Sequence, residues 1–351
     1  MTIASSTQYK WRLDIIRGHV KIGEAKAISV SCKFDESADV TRTMSAEVPT
    51  DGFIVNSPSS LISVTYDMFT DRLRPVVVID DTEFDLGDYI VIGAPKESNG
   101  KTNTYSIEAY DETMILKEAA AEDRLYFAAG SRYLDIINTL LTNCSLTRTI
   151  SDLTDATITA DREFAIGTTY LSIINTLLAE INYSNIHAGS SGNLYITKYR
   201  SKVASDYAYT SKNATLIGSV KCDTDIYSLP NVIIGYVSNP DIDTTLICKK
   251  VNDSPVSEIS TVKRGYKVVS AKEYNDCPDQ ATLQGIVDQR YMDATQATET
   301  AEITTLPDGP HEYGSYCALD INGTSALYRE VGWSVVFNGQ MSHSLERKVF
   351  A

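Results

Sequence analysis

Gly130-Ser-Arg-Tyr-Leu-Asp-Ile-Ile-Asn-Thr-Leu-Leu141 recurs as Gly167-Thr-Thr-Tyr-Leu-Ser-Ile-Ile-Asn-Thr-Leu-Leu178, nine of twelve positions being identical at an offset of 37 residues. In each copy a Gly and a hydroxyl residue precede the apolar run, which is how a capped helix begins. At about 100° per residue, Leu134, Ile136, Ile137, Leu140 and Leu141 fall on one broad face. Leu171, Ile173, Ile174, Leu177 and Leu178 do the same in the second copy. Each helix is therefore expected to lie against a sheet or against its twin. The shared residues include no strong nucleophile, acid or metal ligand, so the repeat speaks for architecture.

On either side of the repeat the pattern is that of strands. Ala27–Phe34 alternates apolar with polar residues, the period of a half-buried strand. Further strand candidates are Leu61–Tyr66, Val76–Ile79, Tyr89–Ile92 and Thr104–Tyr110, with Asn99-Gly100 as a hairpin turn before the last. No convincing helix precedes Asp111. Between the twin helices lies a short strand candidate, Ala156–Thr159, and after them a Gly-Ser-Ser-Gly turn at 189–192 leads into Asn193–Tyr199. Strands return at Asn231–Val237, Thr245–Val251 and Tyr266–Ser270. Pro278–Thr300 reads as one amphipathic helix, and Ser315–Ile321, Leu327–Asn338 and Leu345–Phe350 are the final strands. The expectation is a mainly β (α+β) chain: an antiparallel barrel or sandwich over 1–116, an α/β module over 117–202, and a second β region over 203–351 with a helical insertion near 278–300.

The 351 residues suffice for large cores without covalent staples. With 46 Asp plus Glu against 31 Lys plus Arg, the net charge of −15 argues against a nucleic-acid binder, which needs cations to neutralise phosphates. It agrees with plain solubility, or with a wall past which DNA slides without sticking. Twenty-one tyrosines against 8 phenylalanines suit half-exposed strands and subunit contacts; a sugar-binding face is the alternative use for them. Cys32, Cys144, Cys222, Cys248, Cys277 and Cys317 form no C-x-x-C pair and are expected to be reduced, as in a cytoplasmic product. No signal peptide and no membrane span is expected.

The candidates for chemistry are sparse. His19, His187, His311 and His343 have no second His or Cys at metal-ligand spacing, and no metal or cofactor is expected. Cys144 with His187 as nucleophile and base is outweighed by a core cysteine and a surface histidine. Asp320-Ile-Asn-Gly323 begins like a calcium loop, but Thr324 and Val331 stand where oxygen ligands are required, so a hairpin turn is expected. Asp80-Asp81, Asp223 with Asp225, and Asp241 with Asp243 all lie beside turn residues, and nothing places two carboxylates in one cleft. No catalytic, cofactor-binding or metal residue is assigned, and the chain is not expected to be an enzyme.

In order along the chain, Tyr105–Asp111 with Met114-Ile-Leu116, the Tyr-Leu-x-Ile-Ile helix, Ile186, Gly192-Asn-Leu-Tyr-Ile, Leu229-Pro-Asn-Val-Ile-Ile234, Asn252–Ser257 with Gly265-Tyr266, Pro310-His-Glu-Tyr-Gly314, Trp333 and Met341–Arg347 resemble the baseplate hub proteins of contractile phage tails and phage-derived injection systems. The resemblance covers nearly the whole chain in short pieces. It implies two tube-like barrel domains alternating around a homotrimer, joining a hexameric tail tube to a trimeric spike and continuing the channel for viral DNA as passing cargo. Other baseplate proteins are implied partners, the virion tail tip the location, and the bacterial host cytoplasm the place of assembly. Some members carry a wall-degrading domain after the hub, and the ending at Ala351 is expected to leave none here. A tail-tip peptidoglycan hydrolase or a host-glycan-binding adhesin is the alternative reading.

Overall fold

A computed structural model describes residues 7–52, 54–56, 63–98, 103–199, 204–210, 216–223, 227–238, 245–294, 297–309, 311–321 and 324–349. The first part is all strand: β1 (Tyr9–Arg17), β2 (Val20–Ala25), β3 (Ser29–Asp35), β4 (Arg42–Pro49), β5 (Ile54–Asn56), β6 (Ser63–Thr65), β7 (Asp71–Ile79), β8 (Thr82–Asp85), β9 (Tyr89–Gly93), β10 (Lys96–Ser98) and β11 (Asn103–Asp111). The middle holds α1 (Thr113–Glu118), β12 (Leu125–Phe127), α2 (Tyr133–Asn143), β13 (Thr149–Ser151), β14 (Arg162–Phe164), α3 (Tyr170–Glu180), β15 (His187–Ala188) and β16 (Leu194–Ile196). The last part comprises β17 (Tyr207–Tyr209), β18 (Leu216–Asp223), β19 (Val232–Val237), β20 (Ile247–Val251), α4 (Thr261–Arg264), β21 (Val269–Tyr274), α5 (Gln280–Ala294), β22 (Ala297–Thr305), β23 (Tyr316–Ile321), β24 (Thr324–Val336) and β25 (Met341–Val349).

The twin helices form where the repeat places them. Both shared glycines take a left-handed backbone, Gly130 at φ 86° and Gly167 at φ 81°, which a side chain disfavours. Their caps differ. Thr169 accepts from the Ser172 amide, whereas Arg132 stands at the first helix's N-cap without a capping bond. The apolar faces of α2 and α3 share one core with Leu116, Leu194 and Ile196, so each helix packs on its twin and on the small β13–β16–β15 sheet. Ala156–Thr159 is no strand: only the isolated bridge Arg132–Thr157 forms there.

Two separate closed barrels are not what the flanking parts make. They join in one sheet ordered β18-β22-β25-β24-β3-β4-β11-β9-β7-β1-β2. The seam is β24 against β3, antiparallel, with Trp333 opposite Phe34 and Val335 opposite Cys32. A strand of the chain's end thus completes the sheet begun by its start, and both supply the same core: Trp333, Val335 and Met341 pack with Phe34, Met44 and Val77. Periodicity gives the strands but not their partners, so the join was not foreseeable from the alternation.

The helix expected over 278–300 ends at Ala294, and Ala297–Thr305 is strand β22, paired with β18 and β25. The run Thr298-Glu-Thr-Ala-Glu-Ile303 is β-branched and alternating, and that period wins. Asp279 caps the helix by accepting from the Thr282 amide at 2.7 Å. Asp80 and Asp81 form the β7–β8 turn, both at positive φ, and Ile321 paired with Thr324 brings β23 and β24 together as a hairpin. Asn99-Gly100, Asn322-Gly323, Asp225, Asp241 and Asp243 lie outside the described residues.

The Gly-Ser-Ser-Gly turn docks the middle part on the first. Gly192 has φ 75°, and a Cβ there would collide with the Asp88 carboxylate, which Arg74 (2.5 Å) and Arg148 (3.4 Å) hold in place. Gly192→Ala is expected to lower the unfolding free energy by about 1–3 kcal/mol, read from urea melts, because strain and collision add.

Candidate functional site

β24 and β25 pair with Trp333 opposite His343 and Glu330 opposite Leu345, across a bulge between Glu330 and Gly332. Alternation turns Glu330 inward with Tyr328, and His343 inward with Met341 and Leu345. The loop before β23 adds His311. The Glu330 carboxylate therefore lies between two imidazoles, 2.6 Å from His311 Nδ1 and 2.7 Å from His343 Nδ1. His311 Nε2 reaches Asp308 at 3.0 Å, and the Tyr209 hydroxyl donates to the other Asp308 oxygen at 2.9 Å. Thr305 Oγ1 meets His343 Nε2 at 2.8 Å. Tyr207 covers His311, with ring centroids 3.8 Å apart. Glu330, His311 and His343 are all at or below 1% exposed.

Arg42 completes the cluster from the other side of the seam, at 0% exposure. Its Nη2 donates to the His311 carbonyl (3.0 Å) and to Glu312 (2.9 Å), its Nε to the Ala188 carbonyl (3.0 Å), and its Nη1 to the Leu86 carbonyl (3.3 Å). The guanidinium carbon lies 5.5 Å from the ring centroids of both Phe34 and Trp333. One side chain thus ties together the first β part, the middle part and the last. The fork of five donors makes this possible; lysine offers a single ammonium.

Burial opposes charge on His311, yet Glu330 and Asp308 outweigh it and lift the imidazole to about 9. Burial likewise pushes Glu330 and Asp308 up, but their histidine partners pull both below the ordinary carboxylate range. The joint therefore holds an imidazolium between carboxylates at neutral pH. His311, Cys317 and Glu330 bring possible ligand atoms within 4.8 Å of one another, a grouping their sequence spacing conceals. Both nitrogens of His311 and both oxygens of Glu330 are already hydrogen-bonded, so the group is satisfied as a proton network.

The Cys144–His187 idea is reversed in detail. Cys144 is half-buried just after α2, and it is His187 that is buried, 5% exposed and stacked on Tyr313 at 4.0 Å. Cys32, Cys144, Cys248, Cys277 and Cys317 are free thiols. Among the described residues no helix is long and apolar enough to cross a membrane.

No protein-family model matches the chain, and no curated protein matches it in sequence. Solved structures do match. The tail protein from Neisseria meningitidis MC58 superposes with a TM-score of 0.64 at 12% identity, over 97% of this chain and 96% of that one. The 43 kDa tail protein of prophage MuSo2 from Shewanella oneidensis gives 0.62 at 11%, over 97% and 98%. Prophage tail protein gp18 from Listeria monocytogenes EGD-e gives 0.56 at 11%, over 96% and 94%. The fold is thus one found in phage tail proteins, shared almost from end to end.

Two outcomes are expected at the joint. Arg42→Met removes a donor from the Ala188, Leu86 and His311 carbonyls, of which Leu86 keeps the Tyr89 hydroxyl and His311 the Trp333 indole, and a loss of about 1–3 kcal/mol in urea unfolding is expected. Because His311 titrates above its ordinary 6.5, its contribution is full below about 6.5 and lost as pH rises through about 9. Glu330 titrates below its ordinary 4.5, so its contribution is lost as pH falls beneath that value. The urea midpoint should be highest between these limits and fall towards pH 9, and the alkaline fall should flatten in His311→Gln.

Proposed function

We propose that this chain is a non-enzymatic hub of a phage tail or phage-derived contractile injection system, joining the hexameric tail tube to the trimeric spike at the tail tip. The reading rests on one observation: a single sheet runs through both flanking β parts and, among the described residues, has an unpaired edge at each end, β18 and β2. Edge strands invite pairing with another chain. An edge at each end of one sheet suits head-to-tail contact between copies, and such contacts close into a ring when the rotation allows. In this reading three copies pair β2 with β18 of the next, and the two β parts of each copy supply six roughly equivalent positions towards the tube. The chain then divides into units 1–116, 117–202 and 203–351, the middle one standing outside the ring. Tail tube, spike and other baseplate proteins are the partners, viral DNA passes through as cargo, and assembly takes place in the bacterial host cytoplasm. The fold shared with tail proteins supports this assignment.

The proposal includes no catalytic residue, metal or cofactor. Among the described residues, the dense set of titratable groups around Glu330 is buried and bonded on all sides, where a substrate cannot reach it. That favours the structural reading over a peptidoglycan hydrolase.

A density map of the assembled particle tip should show three copies about the axis, with β2 of one beside β18 of the next. A different copy number, or a position away from the tube end, would refute it. Val20 is 64% exposed at the start of β2, so Val20→Lys should hinder ring closure while leaving the monomer's melting temperature unchanged.

A further inference from the structure

Beside the joint lies a cavity of about 280 Å³, walled by His187, Tyr195 and Tyr199 of the middle part and by Tyr313, Tyr316 and Arg329 of the last. A neighbouring hollow of about 420 Å³ shares Ser184, Tyr199, Tyr313 and Arg329 with it, so the two make one groove. His187 is stacked between Tyr313 at 4.0 Å and Tyr195 at 5.6 Å. Its Nδ1 lies 2.9 Å from the Asn185 carbonyl, an acceptor, so Nδ1 carries the ring proton. Nε2 is left with a free lone pair in a residue 5% exposed that lines the cavity. Burial, only partly offset by the Asn185 bond, pushes His187 down to about 4, so the ring stays a neutral acceptor.

The charged groups of the first cavity are engaged elsewhere, while Lys272, Arg290 and Asp293 line the second hollow. Arg329 pairs with Glu36, Glu312 with Arg42 and the Ser190 amide, and Asp152 accepts from the Lys198 amide. Lys198 itself is exposed to water. What the groove offers is aromatic surface, paired charges that can share hydrogen bonds, and one neutral imidazole acceptor in its wall. In the first cavity a net anion or cation would find no unpaired buried counter-charge.

We propose that this groove binds a neutral, hydroxyl-rich ring compound, a saccharide unit whose C–H face packs on the tyrosines and whose hydroxyl donates to His187 Nε2. The site is independent of the ring reading, and a hub could carry it or lack it. Saturation-transfer NMR and calorimetry at pH 7 with glucose, galactose, N-acetylglucosamine, glucosamine and glucuronate test it. At least one neutral sugar should bind with a Kd of about 1 mM or tighter. His187→Phe keeps a ring for stacking and removes the acceptor; Tyr199→Ala removes aromatic wall. Each should weaken binding about tenfold or more, and Tyr199→Ala serves alone if the histidine variant does not fold. Absence of binding by every neutral sugar, preference for glucosamine or glucuronate over the neutral compounds, or indifference to the substitutions would overturn the proposal.

Discussion

The Arg42 guanidinium is the constraint on which the arrangement depends. It is a guanidinium at 0% exposure, and it is tolerable because each of its three nitrogens donates to an acceptor and two aromatic rings lie against it. The acceptors come from Leu86, Ala188, His311 and Glu312, so the charge is solvated only when the three parts of the chain are docked. Removing any one part would leave the ion short of partners inside a dry interior. Cooperativity between distant stretches of sequence follows from that single requirement.

Around it the ionisable groups are balanced rather than merely buried. Glu330 bridges two histidines, and Asp308 adds a second carboxylate to one of them. The network lies next to the β24–β3 seam, where ladder hydrogen bonds fix register and the ionic cluster fixes orientation. Apolar packing alone, with Trp333 and Val335 beside Phe34 and Cys32, would accept small slips; directional bonds at Glu330 would not.

Much of this was legible in the residues. The helix faces of the repeat, the turns at Asp80-Asp81 and 189–192, and most strands follow from local period and turn chemistry. The join between the ends of the chain was not, because strand pairing over some three hundred residues leaves no mark in local alternation. The histidine–carboxylate cluster escaped for a related reason: 311, 330 and 343 share no motif spacing. A signal was nevertheless present. His343 stands in phase with Met341 and Leu345, and Glu330 with Tyr328, so both were polar residues at inward positions of good strands. Such a pair implies a buried partner before its identity is known. The overlong helix at 278–300 failed because a β-branched run followed the true end without Gly or Pro to announce it.

The main sheet also has a mechanical reading. Pulled across its strands, it is a row of ladders in series, and a series yields at its shortest member. Between β7 and β9 that member is a single registered pair, Leu73 with Tyr89, while β1 and β7 are registered along nine residues. The Arg74–Asp88 ion pair and the Leu86 amide bond to Pro75 bolt the same gap from the side. Tensile load would therefore concentrate on two bolts and one rung, giving the sheet a built-in compliant line that runs beside Leu86, whose carbonyl Arg42 holds.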